Sequence, residues 1–171
     1  MHKILLLGKP KIGKTSLIKK IISGLKKTTC GGFYTSEIKE KGKRVGFKVI
    51  STNAEEGVLA HMYYHSNYHV SKYFVNVSEF ERVALTAIEN AEKEKDLIAI
   101  DEIGKMELFS HKFVNKIEEI FNKSNKKILA TIPVSKIPLI EKLKKLPDTE
   151  VIEITEENRD RLVNELIKKL D

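Results

Sequence analysis

The rhythm of apolar positions changes several times along the chain. Residues 2–7, "HKILLL", are almost continuously apolar and predict a strand buried on both faces. Residues 14–27 switch to a helical period. Leu17, Ile18, Ile21, Ile22 and Leu25 share one face, and Lys26 and Lys27 fall at the end, where cations suit the helix dipole. "FYTSEIKEKGKRVGFKVIST" holds two β-prone runs around "KGK" and predicts a hairpin over about residues 33–52. Residues 54–75 have no clear period; Gly57 interrupts them and tyrosines recur. In "SEFERVALTAIENAEKEK", Glu81 follows Ser78 at the spacing of a capping box, so a helix is expected to start there. The second half alternates. Strands are predicted at 97–101, in "KKILATI" and in "EVIEI", and helices at 111–123, at 135–146 and from Thr155 and Asn158 to about 170. Such alternation argues for a parallel sheet with helices on both faces. No repeat or linker divides the chain, which predicts one domain over residues 1–171 with the hairpin as an insertion.

With 171 residues, 41% hydrophobic and 32% charged, the chain suits one folded domain with a sizeable core. No apolar run approaches the roughly 20 residues of a membrane span. The apolar start is shorter than the roughly 7 residues of the smallest signal-peptide core. The single Cys30 has no partner for an internal disulfide. A cytoplasmic protein without membrane contact is therefore expected, and a monomer. The net charge of +7 favours anionic partners. Its lysines are interleaved with glutamates, as on a solvated surface, so nucleic acid is allowed by the charge and not required by it. The wealth of Lys, Glu and Ile also suits a heat-adapted protein.

Between the first strand and the first helix lies "GKPKIGKT", which fits G-x-x-x-x-G-K-[ST]. The chemistry asks for these residue types. A polyphosphate carries several negative charges, and a wrapping loop brings backbone N–H groups to them. Glycines at 8 and 13 permit the turn, and the helix start adds its positive end. Gly8, Lys9, Pro10, Lys11, Ile12, Gly13, Lys14, Thr15 and Ser16 are thus the expected nucleotide-binding stretch. Lys14 would reach the β- and γ-phosphates and the Thr15 hydroxyl would ligate Mg²⁺.

The second signal is "DLIAIDEIGKMELF". Asp101 ends a buried strand, where it can orient metal-bound water. Glu102 follows at once and is placed to polarise an attacking water as general base. The alternative for Glu102 is a cap on the next turn. An adjacent acid tilts the expectation from binding toward hydrolysis.

Together "GKPKIGKTSL", "GGFYTSEIKEKGKRVGFKVI", "YFVNVSEFE", "IAIDEIGKMELFS", "ILATI" and "VIEITEENRD" resemble the nucleoside-triphosphatase family of hyperthermophiles and their vertebrate cancer-related relatives. The similarity runs from Lys3 to about Leu170, and "DEIGKMEL" with "GFYT" is its most specific part. The resemblance implies an α/β phosphate-loop NTPase core of the RecA/AAA type. That is a mostly parallel sheet, order 5-1-4-3-2, with helices on both faces and an added β-hairpin. It also implies Mg²⁺-dependent cleavage of ATP, GTP and other NTPs to NDP and phosphate, with Gly8–Thr15 as phosphate site and Asp101–Glu102 as metal and water site. The pattern departs at Ser71, where a glycine is usual, and over 57–69.

In that strand order the loop after "VIEI" lies over the base, making Asn158 and Arg159 candidates for base or ribose contact; helix capping is the other use of both. Thr131, ending "ILAT", is a candidate sensor of the γ-phosphate or an ordinary strand-end threonine. Arg44, after the hairpin turn, either stabilises phosphate charge or stays solvated. Lys105 and Glu107 either pair on the surface or tune Glu102 and hold product phosphate. His61, His65 and His69 recur every four residues, but no acidic or cysteine ligand joins them and the surrounding run is poorly helical, so a metal box is not expected. Tyrosines beside lysines there suit single-stranded nucleic acid or plain core and edge positions.

The expected activity is therefore Mg²⁺-dependent NTP hydrolysis with broad base specificity. Two rivals share the loop. A nucleotide or small-molecule kinase needs an acceptor pocket and an arginine-rich lid, which a chain with only four arginines lacks. A nucleotide-switched RNA- or protein-binding module would be stimulated by its partner.

Overall fold

In β1 (Lys3–Leu7), Ile4 and Leu6 point to one face and Leu5 to the other, and all three are fully buried. The same two-residue period divides β7 (Leu97–Ile100) and β8 (Lys127–Ile132). Burial on both faces is why these strands are written as unbroken apolar runs. In the computed structural model, which describes residues 2–171, α1 (Lys14–Gly24) and α5 (Arg159–Leu170) cover one face. The other face is covered by α2 (Val77–Glu94), α3 (His111–Lys123) and α4 (Pro138–Lys144).

Among the described residues the strands form one nine-stranded sheet, ordered β5-β6-β4-β3-β2-β7-β8-β1-β9. The remaining strands are β2 (Cys30–Glu40), β3 (Lys43–Ser51), β4 (Glu56–His61), β5 (His69–Val70), β6 (Tyr73–Val75) and β9 (Thr149–Glu153). The pairings from β9 to β2 are parallel and those from β2 to β5 antiparallel. The sheet is thus mixed rather than mostly parallel. The hairpin is also not an appendage, since β2 is at once the edge of the parallel half and the first strand of an antiparallel meander. Residues 54–75, which lack a sequence period, supply β4 to β6, short strands whose Leu59, Ala60, Tyr73 and Val75 are buried under α2.

Several helix boundaries shift for local reasons. α1 stops at Gly24, and Lys26 and Lys27 lie beyond it, where their N–H groups donate to the Asp171 carboxylate. The cap of α2 is Asn76, whose Oδ1 accepts from Glu79 N–H at 3.1 Å; Ser78 donates to that same oxygen. Glu81, freed from any capping box, accepts from the Ser110 hydroxyl at 2.7 Å. α4 starts at Pro138, a residue suited to the first helical turn and unable to continue a helix begun at 135.

Candidate active site

Parallel strands end at one edge of a sheet, so the residues just past their tips converge. β1 ends at Leu7, and Gly8 N–H donates to Ile132 O at the tip of β8 (3.3 Å). Ile12 N–H donates to Lys9 O (3.3 Å) and closes the loop. Gly13 stands at φ 102°, a backbone state side chains rarely tolerate, and leads into α1 with no side-chain cap. Leu17 N–H is the first to reach a carbonyl behind it, Gly13 O at 2.9 Å. The N–H groups of Lys14, Thr15 and Ser16 therefore have no partner within the helix and point out of its positive end. The Lys14 ammonium donates to Gly8 O at 2.7 Å, across the mouth of the loop.

Asp101 sits one residue past β7 and is 1% exposed. Its carboxylate is held on both sides. Thr15 donates to Oδ2 at 2.6 Å from the helix start, and Thr131 donates to Oδ1 at 2.6 Å from β8. Thr35, on β2, brings its N–H to 3.4 Å and its hydroxyl to 3.5 Å from Oδ2. Two strands and a helix thus fix one carboxylate. Thr131 is fully buried and its hydroxyl donates to Asp101, so it holds that acid.

Glu102 leans the other way, over the phosphate loop, with Oε2 3.2 Å from the Lys14 ammonium. The peptide joining Asp101 and Glu102 is cis. Burial pushes the Glu102 carboxyl above its ordinary range; Lys14 pulls it back and the Asp101 charge adds to the rise. Two residues on, Gly104 packs closely against both acids. A Cβ there would stand 2.5 Å from Glu102 Oε1 and 3.0 Å from Glu107 Oε2. Glu107, in the single 3₁₀ turn Glu107–Phe109, is only 4% exposed. Burial, and then the nearby Glu102 charge, push its carboxyl well above the usual carboxylate range. Lys105 is exposed while Glu107 is buried, so the two do not pair on the surface.

The remaining candidates fall elsewhere. Asn158 is consumed locally. Its Oδ1 accepts from Thr155 N–H at 2.8 Å, its amide donates to Glu153 O at 2.8 Å, and its own N–H donates to the Thr155 hydroxyl at 3.2 Å. These bonds close the turn before α5. Arg159 does reach the phosphate loop, donating to Ile12 O at 3.3 Å. Arg44 is turned onto its own meander: it donates to Tyr73 Oη and to Glu37 Oε1, each at 3.0 Å, and stacks over Phe47 and Tyr73. Its partners are outside both the phosphate loop and the acid pair. His61, His65 and His69 lie on β4, a loop and β5, and no group of three metal-ligating side chains occurs among the described residues. Sequence reasoning missed Thr35 and Gly104 as members of the site. Both lie inside the two most specific family segments, "GFYT" and "DEIGKMEL", which was the available signal.

A family model described as NTPase matches residues 3–167. Nucleoside-triphosphatase THEP1 of Thermotoga maritima is 47% identical over 168 residues, spanning 98% of this chain and 95% of that one. The human cancer-related nucleoside-triphosphatase is 34% identical over 178 residues, spanning 96% and 94%. The crystal structure of THEP1 from the hyperthermophile Aquifex aeolicus superposes with a TM-score of 0.91 at 38% identity, over 99% of both chains.

Proposed function

The chain belongs to the nucleoside-triphosphatase (NTPase) family, and from that premise we propose that it hydrolyses ATP, GTP and other NTPs to NDP and phosphate with Mg²⁺. The observation that carries the reading is the pairing of opposed contacts at one loop: Thr15 on Asp101 at 2.6 Å, and Lys14 beside Glu102 at 3.2 Å. The first pair offers oxygen donors and the second a cation and a base, both beside the uncapped start of α1.

The donor set fits magnesium. A hydroxyl and a carboxylate are hard oxygen ligands, and Mg²⁺ takes one or two such groups with the rest of its shell from phosphates and water. Thr15 and Asp101 would hold the ion, whose charge, when bound, offsets that of the β- and γ-phosphates.

The chain's own groups do the rest. Backbone N–H groups of 13–16 and the Lys14 ammonium bind the phosphate oxygens, and Lys14 exchanges Gly8 O and Glu102 for them. Glu102, released on its Oε2 side, accepts a proton from a water as the water oxygen bonds to the γ-phosphorus and the bond to the β-bridging oxygen breaks. A raised carboxyl is the better base for that step. Thr131 and Thr35 keep Asp101 in place. The occupied Asn158 and the flat guanidinium of Arg159 beside the loop support a base stacked rather than read by paired hydrogen bonds, and so use of several nucleotides.

The test is phosphate release across the four ribonucleotides, without acceptor and with or without RNA, for wild type and Glu102→Gln. Hydrolysis should proceed alone and fall by roughly 100-fold in Glu102→Gln with nucleotide binding kept, as for loss of a general base. Full turnover in the variant, or turnover only with an acceptor, refutes the proposal.

A further inference from the structure

A carboxyl buried to the extent of Glu107, with no lysine or arginine in ion-pair contact, is unusual in any fold. A leucine would fill the same space without the cost of desolvation. Glu107 is therefore placed where a polar group has something to do. Three observations locate that task. Glu107 and Glu102 flank Gly104 so closely that a single Cβ there would press on an oxygen of each, at 3.0 Å and 2.5 Å. The oxygens of Glu102 are divided: Oε1 lies on the Gly104 side, while Oε2 faces Lys14. The backbone N–H groups of Gly104 and Glu107 also face the Glu107 carboxyl, so its direction is set by the main chain. Leu108 N–H donating to Gly104 O at 3.0 Å closes the turn that holds these pieces.

We propose that Glu107 is a positioning residue for Glu102, holding Oε1 on the Gly104 side so that Oε2 is the oxygen presented to the phosphate cradle. This rests on the reading of Glu102 as the base. Burial pushes the Glu107 carboxyl toward its neutral form, the form that has an O–H to offer on the Gly104 side. Without it Glu102 keeps its contact with Lys14 only until a nucleotide takes Lys14, and then nothing fixes its rotamer. The site thus needs Glu107 most when substrate is bound, which predicts an effect on turnover and not on binding.

The experiment compares Glu107→Leu and Glu107→Gln with wild type and Glu102→Gln, measuring kcat, KM and thermal midpoint. Glu107→Leu keeps the volume and removes the donor. Its kcat should fall at least about 10-fold, the scale of a misplaced catalytic group, with KM within about twofold. Its midpoint should not drop, since an apolar residue replaces a buried acid. Glu107→Gln, which mimics the neutral acid and can still donate, should stay within about threefold of wild type. In Glu102→Gln the further change Glu107→Leu should cost nothing more. Wild-type kcat in Glu107→Leu overturns the proposal, as does a folded Glu107→Gln as slow as Glu107→Leu. If Glu102→Gln itself turns over normally, the underlying reading of the base has failed instead.

Discussion

Gly104→Ala is the smallest change that bears on the site. The backbone at Gly104 lies outside the left-handed region, so alanine brings no conformational strain. It brings one methyl carbon, 2.5 Å from Glu102 Oε1 and 3.0 Å from Glu102 Cγ, where ordinary contact begins at 3.4 Å. The carboxylate must therefore retreat by about 0.9 Å, and Glu107 Oε2, 3.0 Å from the same methyl carbon, must give as well. A displacement near 1 Å in a catalytic group costs up to roughly 100-fold in rate, or about 2.7 kcal/mol. The phosphate loop lies on other contacts, so nucleotide affinity should be unchanged within about twofold. Glu102 is partly exposed and free to move outward, so stability should change by less than about 1 kcal/mol. Initial rates of phosphate release, with affinity for a non-hydrolysable NTP by calorimetry, separate these quantities. A variant that folds, binds and turns over like wild type would refute the placement of Glu102. So would one whose rate and affinity fall together.

Other consequences follow from single contacts. Thr131→Val removes a buried hydrogen bond to a carboxylate, about 2 kcal/mol, and should lower the thermal midpoint by roughly 5 °C in calorimetry. Arg159→Ala should raise KM for NTP with kcat little changed, whereas Arg44→Ala should leave both within about twofold in the same steady-state assay, because Arg44 is tied to Glu37 and Tyr73. Burial pushes the Cys30 thiol up to about 12, so the folded protein at pH 8 should react with a thiol reagent at least about 100-fold more slowly than in denaturant. Asp96 is held below its ordinary range by the Thr29 hydroxyl and N–H. Its stabilisation is present above the unfolded value near 3.9 and lost as pH falls through the folded one. Midpoints of wild type and Asp96→Asn should accordingly differ at pH 6 and converge as pH falls through the folded value.

Much of this arrangement was legible along the chain, because its parts are contiguous. A turn of glycines between a buried strand and a helix needs only neighbouring residues, as does an acid at a strand tip. The spacings from Gly8 to Thr15 and from Asp101 to Glu107 are covalent facts before they are structural ones. The continuous apolar runs likewise announced strands covered on both faces. What the tertiary structure alone decided is who meets whom. Asp101 is held by Thr15, Thr35 and Thr131, residues 30 to 86 positions away, because β7 ends between β2 and β8 and faces the start of α1. Asn158 closes its own turn and Arg44 bonds within its own meander, and Glu107 was drawn inside by the turn that packs Leu108 and Phe109 on the core. Side-chain types and spacing set what a group can bond. Burial and the nearest competing partner set what it does bond, and both are sums over the whole packed chain.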